Sequence, residues 1–470
     1  MKNKYNVLNN FTFLYLYIPT IIFLLGFVKY IYSIPLSILL TIVLVKEFIN
    51  NKEYYTIKRI KNYFKKNYKQ LIILLIITLV YVLLAGIGGY VYQNDDHIYR
   101  NTFLRYLVEN KWPIYEYNGD IFFTYYYAFW LPAALIGKVF SLKIAFFFLY
   151  IWSVMGVYLF FNYIKDFYKK NYLIPIVLFI LFSGLDIIEQ LIKGSDILFI
   201  IQDASHIEWA TKFQFSSFTT QLFWVYNQCI PAWLLTYYIL SLEDNRIIGL
   251  LIAMSLIFCT LPTISLAIIA LYKIFFDNKD KLSVWLKNTF TWENILVGIP
   301  ILLIFGTFCM SNAAGGVIKL GIKKDFLDDY YITIMFEFLI YYLIIFKYYK
   351  KDILFYITLV ILLICPFISI NGYGDFCMRV SIPCLLILFM YIVNLFNNIN
   401  IKKDKLIFRL LIFLFILGSI TPINEILRTI RKTSNYKGIE YVELYNDEDF
   451  EHNFYGYTED SLFCKYFIKK

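Results

Sequence analysis

Apolar runs of about 17–20 residues recur along the whole chain, and no other feature narrows its choice of fold as far. The hydrocarbon core of a bilayer is roughly 30 Å thick and a helix rises about 1.5 Å per residue, so each run is long enough to cross. The runs lie near 11–28, 31–45, 70–92, 143–163, 172–187, 218–242, 246–259, 262–276, 291–311, 330–347, 353–370, 381–398 and 405–422. They predict an all-α, polytopic integral membrane protein of about thirteen transmembrane helices. The pair 246–259 and 262–276 can also be read as one broken span around Leu261-Pro262. The first run is followed at once by the second with no small-residue cleavage site, so no cleavable signal peptide is expected.

Composition closes the alternatives. The 470 residues are 60% hydrophobic and 17% charged, whereas soluble domains are nearer half apolar and a quarter charged. That rules out a water-soluble globule, a disordered chain, a coiled coil and a collagen. The seven cysteines (Cys229, Cys259, Cys309, Cys365, Cys377, Cys384 and Cys464) lie mostly inside apolar runs, without the paired spacings of a disulfide scaffold or a CxxC metal site. A net charge of +10 would suit nucleic acid only if Lys and Arg gathered on one soluble face. Here they sit at the ends of apolar runs, so a bilayer is the expected partner and nucleic acid is not.

Lys and Arg set the orientation. Segment 46–69 carries eight of them and is placed on the cytoplasmic side. Alternating outward, the basic stretches 165–170, 278–287, 347–351 and 402–409 also fall inside, provided that 122–140 lies on or dips into the outer face without spanning. The expected organisation is a helical hairpin with a basic loop (1–69), a transmembrane core (70–428) with outer loops 93–142, 186–217, 312–329 and 371–380, and an extracytoplasmic tail (429–470). The N-terminus is then cytoplasmic and the C-terminus extracytoplasmic, in a cell (inner, cytoplasmic) membrane. Most acidic residues and all three histidines (His97, His206, His452) fall outside, so any chemistry is expected there.

The first outer loop opens Asn94-Asp95-Asp96-His97-Ile98-Tyr99-Arg100. A short amphipathic helix should follow, with Tyr99, Phe103, Leu104, Tyr106 and Leu107 on one face and Asn101, Thr102, Arg105 and Glu109 on the other. Such a helix would lie in the interface plane. Asp95 could serve as its N-cap and Asp96 sit favourably at the positive end of its dipole. Alternatively, repulsion between the adjacent carboxylates poises one of them as a general base.

Beyond that helix come Trp112-Pro113-Ile114-Tyr115 and Tyr125-Tyr126-Tyr127 leading into LPAALIGK (131–138). An acidic pair after an outward-going helix, a surface helix, a P-x-Y stretch and YY-x-x-x-x-LPAALIGK together resemble the GT-C superfamily. Its members are polytopic glycosyltransferases that take sugar from a polyprenyl-phosphate carrier, such as the protein O-mannosyl and lipid A aminoarabinose transferases. The resemblance spans roughly residues 70–190. It implies a GT-C-like fold with amphipathic helices in the first outer loop, a polyprenyl-phosphate-linked sugar donor, and a glycan, lipid or protein acceptor. It also maps the catalytic acid onto Asp95 or Asp96. Two extra N-terminal helices depart from the pattern, as does an adjacent acid pair in place of Asp-x-Asp or Asp-Glu. The second departure leaves a divalent cation open, with Asp96 and His97 as its weak candidates.

Other loops offer substrate contacts. His206 and Glu208, two apart, do not share a helical face, so a substrate-facing loop, or packing at the interface with Trp209 in the aromatic belt, suits them better than a metal. Asn227 and Gln228 lie near the outer end of an apolar run, as interhelical hydrogen-bond partners or cavity lining. In Asn371–Arg379 an Asp375–Arg379 pair has i,i+4 spacing. Only eight of the 44 basic residues are Arg, and a planar guanidinium at a helix mouth suits a lipid phosphate. Arg379 is therefore the expected phosphate contact, with Arg100 and Arg105 as alternatives. A flippase or exporter of a lipid-linked sugar competes with this reading, as does a polysaccharide polymerase or ligase. A transporter needs polar residues deep within spans, and chiefly Glu337 meets that condition.

Overall fold

The computed structural model describes residues 6–165, 171–196, 207–276, 282–313, 319–320, 326–370, 373–400, 402–443 and 454–469. In chain order the first helices are α1 (Asn6–Phe27), α2 (Tyr30–Asn50), α3 (Ile57–Leu84) and α4 (Asp96–Glu109). Two short strands, β1 (Tyr115–Glu116) and β2 (Ile121–Phe123), precede α5 (Leu131–Val139), α6 (Leu142–Ile164), α7 (Leu173–Ile180) and α8 (Asp186–Ile192). Then come α9 (Phe218–Ser241), α10 (Ile248–Phe275), α11 (Leu282–Thr289), α12 (Ile299–Met310), β3 (Lys319–Leu320), α13 (Phe326–Ile334) and α14 (Ile340–Tyr349). The remainder is α15 (Ile353–Ile364), β4 (Ile368–Ser369), α16 (Tyr373–Val380), α17 (Ile382–Asn398), α18 (Lys405–Gly418), α19 (Ile420–Thr433), β5 (Tyr455–Tyr457) and α20 (Leu462–Tyr466).

Among the described residues nine helices are long and apolar enough to cross a membrane, or ten if the bent pair Gly374–Val380 and Ile382–Asn398 counts as one span. Ile31, Ile34, Ile38, Ile42 and Val45 of α2 are all exposed, an apolar stripe that water would not tolerate and lipid tails cover. The chain is a multi-pass, all-α membrane protein. Three of the thirteen hydropathy runs account for the smaller count. Residues 218–242 form α9, which is too rich in Thr, Gln and Asn; 353–367 is too short; and 246–276 forms a single helix.

That single helix, α10, is folded on itself. A straight helix of its 28 residues would be about 42 Å long. Yet Lys273 Nζ donates to the carbonyl of Leu240, 3.3 Å away and eight residues before the helix begins. Ser255 Oγ and Thr263 Oγ1, which lie about 12 Å apart along a straight helix, are within 2.7 Å. The reversal falls at Cys259, whose φ of −148° and ψ of 67° are not helical, with Pro262 removing a ladder donor just beyond. The two apolar runs are therefore two arms that start and finish at the same end.

The chain forms two compact units, one of Met1–Phe161, Ile230–Gly316 and Lys437–Lys470, the other of Asn162–Cys229 and Val317–Tyr436. In the first unit, one end joins α1, α2, α9 and the start of α10. Asn10 Nδ2 reaches the Glu47 carbonyl (3.0 Å) and the Tyr55 hydroxyl (2.9 Å), Ser241 Oγ reaches Asn9 (3.0 Å), and Lys46 pairs with Glu293. At the other end the C-terminal tail comes back. β5 pairs antiparallel with β2 (Phe122 opposite Gly456), Val28 bridges Ile468, and Trp112 stacks on Phe27 at 5.3 Å. A buried aromatic core of Phe23, Phe308 and Phe463 lies beneath, with ring centroids 4.9 and 5.1 Å apart. Tyr127–Val139 is too short to cross, and its residues 127–134 are buried in the protein.

In the second unit three spans are interrupted. The span Leu173–Ile192 leaves helical geometry between α7 and α8, a π-turn (Met335–Leu339) separates α13 from α14, and α18 stops at Gly418. The interruptions meet. A Cβ on Gly418 would lie 2.7 Å from the Ser183 carbonyl, and one on Gly184 only 2.7 Å from Glu337 Cα. Leu185 N donates to Phe336 O across the contact (3.0 Å).

Candidate functional site

In the first unit the acidic loop is shaped by glycine. Gly86 has φ +79°, where a Cβ would meet the Tyr92 carbonyl at 2.8 Å. The chain therefore leaves the helix at Leu84, several residues before the apolar run ends. The freed Gly86 carbonyl accepts Gln93 Nε2 (2.9 Å), and Gln93 in turn faces His97 Nδ1 (3.3 Å) and accepts Asn101 Nδ2 (2.8 Å). This network fixes the start of α4. His97 is 1% exposed, so it holds the loop from beneath.

The two acids differ. Asp95 already has helical φ and ψ (−58°, −33°) and makes no side-chain cap, which corrects its expected N-cap role. Its carboxylate is exposed and has no hydrogen-bond or ion-pair partner among the described residues. Asp96 Oδ2 is held by Arg100 Nη2 at 2.8 Å, and the Arg100 side chain is buried. With Asp96 engaged by Arg100 and His97 by an amide, this loop does not fit a divalent ion. Among the described residues no three His, Cys, Asp or Glu side chains converge to hold a metal.

Helix α4 does not lie bare in the interface as its pattern suggested. Phe103, Leu104 and Leu107 are buried, but so are Asn101 and Thr102 of the face expected to meet water. The tail covers them. Asn101 Nδ2 donates to the Glu440 carbonyl (3.1 Å), Thr102 Oγ1 accepts the Val442 amide (2.9 Å), and Arg105 lies over the Tyr441 ring (4.7 Å). Nothing in the local pattern of 93–110 announces a cover that arrives some 340 residues later.

The second unit holds a buried acidic cluster at its interrupted spans. Asp186 Oδ2 accepts Ser183 Oγ (2.9 Å) and Thr421 Oγ1 (2.8 Å), and Glu337 is buried beside the same break, its Cα 2.7 Å from where a Cβ on Gly184 would lie. Glu189, one turn beyond Asp186, is 3% exposed, and its Oε1 has no hydrogen-bond partner among the described residues. Two ion pairs, Lys193–Asp329 and Arg428–Glu425, belong to the same unit. Sequence reading weighed only Glu337 as an acid deep within a span. The available signal was Gly184 two residues before Asp186 at the end of an apolar run, with Glu189 one turn on.

Glu208 has a structural task. Its Oε1 accepts the Ser217 amide and its Oε2 accepts Gln214 Nε2, both at 3.0 Å, so it closes the N-terminus of α9. Burial pushes its pKa up to about 7, helped by the charge of Asp186 and opposed by hydrogen bonds from Ser216, Thr220 and Gln214. His206 lies outside the described residues. Asn227 and Gln228 are each 1% exposed. Asn227 follows a break at Val225, and neither polar atom of its amide has a partner among the described residues, so it is not an interhelical hydrogen-bond bridge. Arg379 and Asp375 form the i,i+4 pair at 2.7 Å, with Arg379 Nη1 also bonded to the Asp375 carbonyl.

Comparison with protein-family models, with curated proteins and with solved structures found no match.

Proposed function

We propose that the protein is a membrane glycosyltransferase that moves a sugar from a polyprenyl-phosphate carrier to a hydroxyl acceptor, with Asp95 as general base. The observation that carries the reading is the exposed, unpartnered Asp95 carboxylate on a loop whose backbone is held by Gly86, Gln93, His97 and Asn101. A base needs an open lone pair in a fixed position. Asp95 takes the acceptor proton as the acceptor oxygen attacks the anomeric carbon. The bond from that carbon to the phosphate oxygen breaks, its electron pair leaves with the phosphate, and the centre inverts. Arg100 is the cation beside the acid pair where the developing charge can be met.

The orientation belongs to the same proposal: N-terminus cytoplasmic and tail extracytoplasmic, in a cell membrane. It is supported by the way the first unit sorts its ends, with basic 46–69 at one and the acidic loop and tail at the other. A cysteine at exposed Glu109 that labels only from the cytoplasmic side would reverse it. Asp95→Asn and Asp96→Asn, assayed for transfer from a polyprenyl-phosphate sugar, test the chemistry. Full transfer by folded Asp95→Asn protein would sink the assignment.

A second reading, a flippase or exporter of a lipid-linked sugar, draws on the other unit. Buried carboxyls at broken spans are where transporters hold coupling ions, and Asp186, Glu189 and Glu337 fit that description. Sugar transfer that fails in every preparation, with lipid-linked sugar still crossing proteoliposomes, would favour it.

A further inference from the structure

We propose that the junction of α2 and α3 is a binding site for an anionic phospholipid, with an acyl chain in a groove beside α2 and the headgroup phosphate on the basic face of α3. The groove, about 390 Å³, is lined by Leu44, Val45, Phe48, Ile49 and Tyr55, with Lys52 as its charged residue. Two residues beyond Tyr55 α3 begins, and every residue from Ile57 to Lys66 is exposed. Winding at about 100° per residue gathers Lys58, Arg59, Lys61, Lys65, Lys66 and Lys69 into one arc of about 160°. Ile57, Ile60, Tyr63, Phe64 and Tyr68 take the opposite arc of about 140°. The two faces do not overlap.

Charge names the occupant. Segment 52–69 carries seven basic residues and a single acid, Glu53, which lies 3.8 Å from Arg59. A helix of 28 residues is about 42 Å long, some 12 Å more than the hydrocarbon core needs. The surplus is the basic end, which therefore stands at headgroup depth. Clusters of this kind beside a span gain about 1 kcal/mol per Lys or Arg from anionic lipid. An apolar groove opening beside a basic helix matches one molecule with both an acyl chain and a phosphate. The groove lies at the Asn50 end of α2, opposite the acidic loop, so it is separate from the proposed donor site.

The test uses the full chain in detergent, with phosphatidylglycerol and phosphatidylcholine as probes in native mass spectrometry. Phosphatidylglycerol should be retained at concentrations about tenfold lower than phosphatidylcholine. A variant carrying Lys58→Gln, Arg59→Gln, Lys61→Gln, Lys65→Gln and Lys66→Gln should bring the two lipids level. Val45→Trp, entering the groove from an exposed position, should weaken both. All six positions are exposed, so unchanged melting in detergent is expected and serves as the folding control. Equal retention of both lipids by the unaltered protein overturns the proposal. Undiminished phosphatidylglycerol binding by the charge variant does so too, and glycerophosphate binding as tightly as the whole lipid removes the acyl groove.

Discussion

Both units gather acidic side chains, and they house them in opposite ways. In the first, Asp95 and Asp96 stand on a loop, one open and the other held by a buried Arg100. In the second, Asp186, Glu189 and Glu337 are buried where spans break. Keeping a carboxylate charged in water costs nothing, whereas burying one costs several kcal/mol unless donors, cations or protons compensate. The second unit supplies the Ser183 and Thr421 hydroxyls, and Glu189 Oε1 is still left without a hydrogen bond among the described residues. The open acid is thus equipped to exchange a proton with a substrate. The buried set is equipped to hold a charge state or to respond to a cation.

The sharpest way to break this contrast is to remove one acid from each unit. Loss of a general base costs typically 10²–10⁴ in rate. Asp95→Asn should lower transfer from a polyprenyl-phosphate sugar by about 100-fold or more, and Glu337→Gln by less than about threefold. The reverse order, measured in the same membranes, would move the working site into the second unit.

Next in size is Gly184→Ala. The added methyl meets Glu337 Cα at 2.7 Å and its carboxylate closer still. Backbone cannot yield as a side-chain tip does, so a loss of about 3 kcal/mol is expected, at the upper end of overpacking costs. Thermal unfolding in detergent measures it, and an unchanged midpoint would mean that the two breaks are not in contact.

The buried environment of the second unit also predicts a pH dependence. Glu208 is raised from 4.5 to about 7, so between those values the folded state binds more protons than the unfolded one. Stability is therefore fully present below about 4.5 and is lost as pH rises through about 7. The span of the shift corresponds to roughly 3 kcal/mol. Glu208→Gln should flatten the melting temperature between pH 5 and 8. Asp186→Asn should move the wild-type transition to lower pH, since the Asp186 charge helps raise it. Parallel curves for wild type and Glu208→Gln would remove Glu208 as the titrating group.

Hydropathy made the membrane class legible because span length is a local property, and the i,i+4 spacing gave the Asp375–Arg379 pair for the same reason. What escaped it was long-range. The fold-back at Cys259 lies between two runs that hydropathy could join or separate equally well, and only contacts such as Lys273 to Leu240 decide. Glu337 sits in a run that remains apolar on average, so a windowed reading dilutes it, while Asp186 and Glu189 fall at and beyond the end of the run 172–187 and read as the start of an outer loop. Their meeting depends on Gly184 and Gly418, whose missing side chains let three elements touch. The open acid was legible as a position, and its separation from Asp96 was not, because Arg100 had to be found buried first.

The smallest effect concerns the cover over α4. Thr102 Oγ1 accepts the Val442 amide at 2.9 Å, and its one proton is shared between the carbonyl oxygens of Ile98 (2.9 Å) and Val442 (3.2 Å). Thr102→Val keeps the shape and removes the oxygen, leaving the Val442 amide and carbonyl to find water. A detached segment can solvate those groups, so the cost is that of net hydrogen bonds, about 1 kcal/mol, not that of a buried orphan. One kcal/mol is about a fivefold change in an equilibrium, and proteolysis of a transiently opened segment follows that population. Cleavage near Glu440–Glu443 should therefore quicken about fivefold in Thr102→Val while the melting temperature of the whole chain barely moves. Equal cleavage rates would mean that Asn101, Arg105 and β5 hold this segment without help from Thr102.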